Sequence, residues 1–128
     1  MLKFNSLLLF SEHPDKLAEF YQKVFKVDPM WENGDYTGWQ LGQGMFMVGP
    51  HDKVHGENKN PERMILNFET EDVEEEFKRI KKLGAKVIAE PYSPGESKEM
   101  KLATFADPDE NYFQLASPMP ESSASQAN

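Results

Sequence analysis

The stretch KLATFADPDENYFQLASP, residues 101–118, contains two short strand patterns on either side of a turn pattern. Residues 101–106 and 112–116 have the composition and alternation of strands. Between them, residues 107–111 favour a turn, because proline presets φ and Asp and Asn side chains bond to nearby backbone. We therefore predict a β-hairpin with a five-residue connection.

A polar side chain, Gln114, lies in the middle of the second strand of this hairpin, between Phe113 and Leu115. Successive side chains of a strand point to opposite faces of the sheet. If Phe113 and Leu115 face the hydrophobic layer, Gln114 faces the other side. Its amide offers two hydrogen-bond donors and an acceptor there. Whether that side meets water or a ligand is the central functional question.

The chain is acidic, with 128 residues and a formal net charge of −8. Its Asp and Glu residues are spread along the sequence rather than collected in a tail. Nucleic-acid binding needs clustered Lys and Arg, so we expect neither nucleic acid nor an anionic membrane surface as a partner. The charge mildly favours a neutral or cationic small molecule.

Several sites and locations are excluded by what the sequence lacks. There is no cysteine, which rules out disulfides, thiolate metal sites and a cysteine nucleophile. No apolar run approaches the ~20 residues of a membrane span. The start, MLKFNSLLLF, leads into a charged helix without a small-residue cleavage site. We therefore expect no signal peptide and predict a cytoplasmic location.

Two amphipathic helices are predicted, and the second has the clearer boundaries. Asp72 is its predicted N-cap, Glu75 completes a capping box, and Gly84 ends it. The first helix begins at Pro14. The apolar stripes of the two helices match at one constant offset, which indicates a weak internal repeat. They are Leu17, Tyr21 and Val24 in the first helix and Val73, Phe77 and Ile80 in the second.

Each predicted helix follows an apolar strand and precedes three strands, which gives the order β-α-β-β-β twice. Strands that come in antiparallel-style groups rather than one per helix indicate an α+β fold. Residues 51–62 are a predicted loop that links the two halves, and residues 91–97 are a second loop. The strands located individually are residues 2–10, 36–41, 45–48, 63–70, 85–89, 101–106 and 112–116.

Three stretches resemble the vicinal oxygen chelate superfamily, which includes glyoxalase I, extradiol dioxygenases, and the bleomycin and fosfomycin resistance proteins. LAEFYQKVF (17–25) looks like the first helix of the family. LNFETEDVEEEFKRIKKLGAKV (66–87) looks like its fifth strand and second helix. FADPDENYFQLASP (105–118) is similar to its closing turn and last strand, although Glu110 stands where that turn usually has glycine.

The resemblance implies one domain over residues 1–117, built from two tandem βαβββ modules. Module one covers about residues 1–52 and module two about residues 62–117. The modules would form a U-shaped cleft that faces a small molecule, and such proteins commonly pair modules across subunits, so a homodimer is expected. Residues 118–128 are rich in Ser, Ala and Pro and are predicted to be a disordered tail.

The metal enzymes of the superfamily carry His, Glu or sometimes Gln on the first and last strand of each half. The first-strand position falls at Asn5, or at Ser6 with a slip of one residue. The fourth-strand and fifth-strand positions fall near Met47 and Ile65, and the eighth-strand position falls at Gln114. A divalent first-row metal needs imidazole or carboxylate ligands, and only Gln114 is a credible ligand here. We therefore predict no metal site.

Residue type and strand alternation, together with the position of Gln114, select the residues expected to contact a ligand. Asn67 would share a strand face with Ile65 and Glu69, and two readings of that face are open, the cleft and a polar edge. Trp39 and Met47 belong to a cluster of aromatic and Met residues that is either core or an adaptable pocket wall. The predicted ligand-binding residues are Asn5, Trp39, Met47, Asn67 and Gln114.

Two further signals are weaker. His51 and His55 are four residues apart, but glycine, asparagine and proline around them predict a solvated loop rather than a helix that would join them at a metal. Glu69 is a candidate general base if it is buried, although most carboxylates are exposed.

Three functions remain open from the sequence. The first is a metal-free protein that binds a small neutral or cationic molecule in the cleft, like the resistance proteins. The second is a glyoxalase-like lyase or dioxygenase that uses Zn, Mn, Ni or Fe through other ligands, such as Gln114 with Glu69 or a loop histidine. The third is a metal-independent isomerase with Glu69 as its base.

Overall fold

Each half of the chain folds its strands into a four-stranded mixed sheet in the computed structural model, which describes residues 1–96 and 99–118. The first half contains β1 Ser6–Phe10, α1 Pro14–Phe25, β2 Trp31–Asn33, β3 Tyr36–Leu41 and β4 Gly44–Gly49. The second half contains β5 Ile65–Glu69, α2 Val73–Lys82, β6 Lys86–Tyr92, β7 Leu102–Ala106 and β8 Tyr112–Ala116. A 3-10 turn, Pro61–Arg63, precedes β5.

The two sheets share one topology. Their strand orders are β1-β4-β3-β2 and β5-β8-β7-β6. In each, the strand before the helix pairs in parallel with the last strand, and the remaining neighbours pair antiparallel. The predicted α+β fold with two βαβββ repeats is confirmed. The chain divides into two compact units, Met1–Asn58 and Lys59–Asn128, whereas the predicted module boundaries at 52 and 62 stay predictions.

The helices cover their sheets through the two matching trios predicted from the sequence. Leu17, Tyr21 and Val24 are the buried residues of α1, and Val73, Phe77 and Ile80 are those of α2. In the first unit the ring centroids of Tyr21 and Phe46 lie 4.9 Å apart. In the second, those of Phe77 and Phe105 lie 5.1 Å apart. Each sheet therefore buries one face against its own helix.

The strand predictions differ from the structure by more than one residue at four places, of which the start of β5 at Ile65 rather than at residue 63 is the smallest. The first strand begins at Ser6 rather than at residue 2, and the short β2 strand was not located individually. A further difference is in β6, which continues to Tyr92, so the predicted loop does not begin at Pro91. An edge strand tolerates proline because the missing N–H faces away from the ladder. Two register shifts in its pairing with β7 accompany it.

The remaining predictions about the chain as a whole are answered in part. Within the described ranges, no helix is long and apolar enough to cross a membrane. The predicted disordered tail was 118–128, and residues 119–128 lie outside the described residues.

Candidate functional site

Each sheet has a second face that its helix does not cover, and strand alternation assigns the residues to it. On β4, Phe46 and Val48 are buried toward α1, so Met45 and Met47 point to the other side. We call these surfaces the helix-free faces. The first carries Ser6, Leu8, Phe10, Trp31, Tyr36, Gln40, Met45 and Met47. The second carries Ile65, Asn67, Glu69, Lys86, Tyr92, Leu102, Thr104, Tyr112 and Gln114.

The structure brings two of the predicted ligand-binding residues together on the second helix-free face. Asn67 and Gln114 are register partners in the parallel β5–β8 pair. The Gln114 Nε2 donates a hydrogen bond to the Asn67 Oδ1 at 3.1 Å. Thr104 is the partner of Gln114 on the next strand. Two amides and a hydroxyl therefore form one row across three strands. Sequence reasoning named both amides but could not pair them, because the register of a parallel pair leaves no local signal.

Glu69 lies on the same face, two residues beyond Asn67 on β5. It is exposed, and its register partner is Ala116. It makes no hydrogen bond or ion pair within the described part of the chain. A general base needs a positioned partner and, at neutral pH, a site that tunes its proton affinity. The candidate role of Glu69 as a base stays a prediction.

The first-strand candidates lie at the start of β1. Asn5 precedes the strand and is exposed, and its backbone carbonyl accepts a hydrogen bond from the Met45 N–H at 3.2 Å. Ser6 is the residue on the helix-free face, beside Met45. Of the two first-strand candidates, Ser6 therefore lies on the helix-free face, and Asn5 lies just before the strand.

Trp39 does not lie where a ligand wall was predicted. It is 0% exposed and pairs in register with Phe46, on the face toward α1. Its indole N–H donates to the Gln22 Oε1 of α1 at 2.8 Å, and its ring packs edge-on against Phe25. Met47 points to the opposite face. Trp39 and Met47 therefore cannot line one wall, and Trp39 is a core residue that anchors the helix.

Two other aromatic residues of the first unit, Trp31 and Tyr36, do lie on the first helix-free face. Their rings lie over Gly38 and Gly49, where an added Cβ would overlap them. A glycine inside a strand is a sign of such a close approach. Gly38 is thus the sequence signal for the close approach of Trp31, and Gly49 is the signal for that of Tyr36.

The two loop histidines take different partners. The His51 Nδ1 accepts a hydrogen bond from the Lys53 N–H at 3.1 Å, and its ring packs edge-on against Phe10. The His55 Nδ1 lies 3.7 Å from a Glu12 carboxylate oxygen. The Gly56 N–H, which donates to Glu12 at 3.1 Å, is the main cause that lowers the pKa of that carboxyl. These contacts hold the loop to the end of β1 and to Glu12, in the segment that precedes α1.

A divalent first-row metal does not fit the donors on these faces. The positions implied by the resemblance present a thioether, a hydroxyl, an aliphatic side chain and an amide, from Met47, Ser6, Ile65 and Gln114. Such metals are held by imidazole and carboxylate groups, commonly three or four of them. The described residues contain no group of three or more His, Asp or Glu placed to hold a metal ion.

Comparison with known proteins places this fold and topology in a family. The model of the Glyoxalase-like domain matches residues 6–116, and the chain belongs to that family. No curated protein sequence matches the chain.

Solved structures share the fold at low sequence identity. A glyoxalase/bleomycin resistance protein/dioxygenase family enzyme from Burkholderia phytofirmans has a TM-score of 0.74 and 18% identity, covering 92% of this chain and 100% of its own. A glyoxalase-related enzyme from Fulvimarina pelagi has a TM-score of 0.74 and 15% identity, covering 94% of both chains. The fosfomycin resistance protein of Listeria monocytogenes has a TM-score of 0.64 and 21% identity, covering 94% of this chain and 95% of its own.

Proposed function

We propose that this member of the Glyoxalase-like domain family binds a small neutral or cationic molecule on its helix-free faces without a metal centre. The observation that carries the proposal is the hydrogen-bonded pair of Asn67 and Gln114. In the resembling metal enzymes, Gln114 falls at a metal-ligand position. Here it is a neutral amide that already has a neutral partner.

The amide pair keeps hydrogen-bonding capacity for a ligand. Asn67 is exposed and Gln114 is partly exposed. Their mutual hydrogen bond uses one of the two donors of Gln114 and leaves both donors of Asn67. Uncharged donors and acceptors can hydrogen-bond carbonyl, hydroxyl or amide groups at a smaller desolvation cost than a charged side chain would carry. The formal charge of −8 disfavours an anion and favours a neutral or cationic molecule.

The enzyme alternatives lack a supporting contact on these faces. A metal-dependent lyase or dioxygenase needs carboxylate or imidazole ligands, and Glu69 is the one carboxylate among the residues assigned above to the two faces. A metal-independent isomerase would use Glu69, which is exposed and has no partner within the described ranges. Both alternatives are outcomes of the experiments that follow.

Metal content is the first test of the proposal. Protein purified without chelator is analysed by inductively coupled plasma mass spectrometry, and its melting temperature is measured with and without Zn, Mn, Ni and Fe. We expect substoichiometric metal and no rise in melting temperature. One tightly bound ion per chain would reject the proposal and favour the metal-dependent enzyme.

Ligand charge is the second test, because benzoate, benzamide and benzamidine differ in charge but little in shape. We expect benzamide and benzamidine to raise the melting temperature more than benzoate does. Gln114→Ala should reduce that gain, whereas Gln43→Ala, in the exposed β3–β4 turn, should not. A preference for benzoate would contradict the proposed ligand class.

Three further parts of the prediction concern the whole chain, its assembly and its location in the cell. That the helix-free faces line a common cleft, that the chain forms a homodimer, and that it is cytoplasmic all stay predictions. Sedimentation equilibrium tests the homodimer directly.

A further inference from the structure

Two strand glycines shape the first helix-free face. Gly38 is the register partner of Trp31 on β2, and Gly49 is that of Phe10 on β1. A Cβ added at Gly38 would lie 2.7, 2.8 and 2.9 Å from three atoms of the Trp31 indole. Three ring atoms at nearly equal distance mean that the indole lies flat against the strand. The Tyr36 ring meets the Gly49 position with one edge, since two adjacent ring carbons are much closer to an added Cβ than Cγ is, at 3.3 Å.

Both rings leave surface available for contact. Tyr36 remains 38% exposed and Trp31 is partly exposed, although each has one side against the sheet. Leu8 and Met47 continue the row of Trp31, and Leu8 is 50% exposed. The result is an apolar surface on which aromatic rings present a face.

The polar atoms of these two rings also lack partners. Neither the Trp31 indole N–H nor the Tyr36 hydroxyl makes a hydrogen bond within the described residues. Trp39 differs, because its indole N–H is bonded to Gln22 and its ring is fully buried. A ring that only fills the core has its polar atom satisfied in the protein, as Trp39 has. Trp31 and Tyr36 are therefore unlike core aromatics in both exposure and hydrogen bonding.

We propose that Trp31 and Tyr36 form a stacking platform that binds the planar, conjugated ring system of a neutral or cationic ligand. This inference rests on the proposed function and names the class of ligand that the first helix-free face takes. Aromatic faces attract other π systems in offset stacks and attract cations through the ring quadrupole. The acidic charge of the chain favours the same cations.

The spacing of the glycines sets a minimum size for the ligand. Gly38 lies on β3, and Gly49 lies on β4 two residues beyond Met47, the register partner of Gly38. Neighbouring strands are about 4.8 Å apart and alternate residues about 6.8 Å apart, so the two positions are roughly 8 Å apart. A single six-membered ring covers one of them. Two or more fused rings are needed to contact both aromatic side chains.

The test compares N-methylquinolinium with its saturated analogue, N,N-dimethyldecahydroquinolinium, which has the same charge and a similar size. Affinities are measured by calorimetry. The two indole N–H signals of the chain are followed by NMR, since it contains two tryptophans. We expect the aromatic cation to bind about tenfold more tightly than the saturated one. The Trp31 signal should shift on binding, whereas the Trp39 signal should not.

Glycine variants test the platform itself. Gly38→Ala should displace the Trp31 ring and weaken binding of N-methylquinolinium about tenfold. The matched control is Gly44→Ala, since a Cβ there meets only the Asn5 carbonyl oxygen at 4.0 Å. An unchanged Trp39 signal shows that a variant is folded. Trp31→Leu is a second variant that removes the ring without adding atoms near the strand.

Three results would overturn the platform. The two cations could bind equally, or Gly38→Ala and Trp31→Leu could both bind the aromatic cation like the parent protein. The variants could also change the oligomeric state while binding stays the same, which would make this face a contact with a second copy. If the platform fails while the benzamide tests succeed, the proposed function survives. Stoichiometric metal would reject the proposed function and leave the platform result intact.

Discussion

Asp107 determines the geometry of the closing turn through one buried carboxylate. It is 2% exposed, and its Oδ1 accepts hydrogen bonds from the backbone N–H groups of Asp109 and Asn111 at 2.9 and 3.0 Å. The Asn111 side chain donates to both carboxylate oxygens. Glu110 takes φ 64°, the left-handed conformation that glycine adopts most easily. The hydrogen bonds to Asp107 therefore hold the turn in this conformation, although Glu110 occupies the position where the resembling turns usually have glycine.

The two aspartates beside Pro108 should respond differently to substitution. Asp107→Ala leaves two backbone N–H groups without their acceptor and should lower the free energy of unfolding by about 3 kcal/mol. Asp109 differs, because its Oδ2 is buried with no hydrogen-bond partner within the described residues. Asp109→Ala should change that free energy by less than about 1 kcal/mol. Urea unfolding measures both, and a larger loss in Asp109→Ala would contradict this account.

Individual residues of the candidate site were only partly predictable. Gln114 was identified because it interrupts an apolar strand, and alternation gave its face correctly. Trp39 was misplaced because its face depends on its register with Phe46, which the sequence does not reveal. Gly38 could have indicated the position of Trp31, since a glycine within a strand is a sign that another group approaches closely.

The two helices are packed alike but begin differently. Asp72 caps α2, and its Oδ1 accepts a hydrogen bond from the Glu75 N–H at 3.1 Å. Three glutamates in the first turn and three basic residues in the last turn match the helix dipole. The N-cap residue of α1, His13, makes no such side-chain bond. The second helix therefore has the better start, as its sequence predicted.

Removing the cap of α2 should have a measurable cost. Asp72→Ala leaves the Glu75 N–H without its acceptor and should lower the free energy of unfolding by about 1 kcal/mol. Asp72→Asn keeps the acceptor oxygen and is the matched control, with little expected change. Chemical unfolding followed by circular dichroism compares the two. Equal losses in both variants would show that charge at the N-terminus matters more than the hydrogen bond.

At the level of the whole molecule, the repeat was the most predictable feature. The two apolar trios fix where each helix packs, and the closing hairpin fixes the last two strands. What sequence reasoning could not supply was register, because main-chain pairing is not encoded in local composition. The pairing of Asn67 with Gln114 and the opposite faces of Trp39 and Met47 both depend on register.

The acidic chain should lose part of its stability when its carboxylates are protonated. A hydrogen bond from the Lys101 side chain is the main cause that lowers the pKa of Glu74 from the ordinary value of 4.5. A carboxyl whose pKa is lower in the folded state stabilises the fold above its ordinary pKa. That contribution is lost as the pH falls below about 4.5, through the lowered value.

Glu74→Gln isolates this contribution. Between pH 5 and about 3, the melting temperature of the parent protein should fall more steeply than that of the variant. Glu71→Gln is the control, because the exposed Glu71 makes no ion pair within the described ranges. Differential scanning calorimetry across this range gives the comparison. Parallel curves for the parent protein and Glu74→Gln would contradict the assigned role of Lys101.

Strand β6 is an edge strand of the second sheet. It contains Pro91, and its pairing with β7 has two register shifts. A strand from another chain could extend the sheet at this edge only by pairing with a straight, regularly spaced series of backbone N–H donors. Strand β6 does not offer such a series. The edge is thereby protected from templated growth into cross-β fibrils, even though Ile88 and Tyr92 are exposed along it.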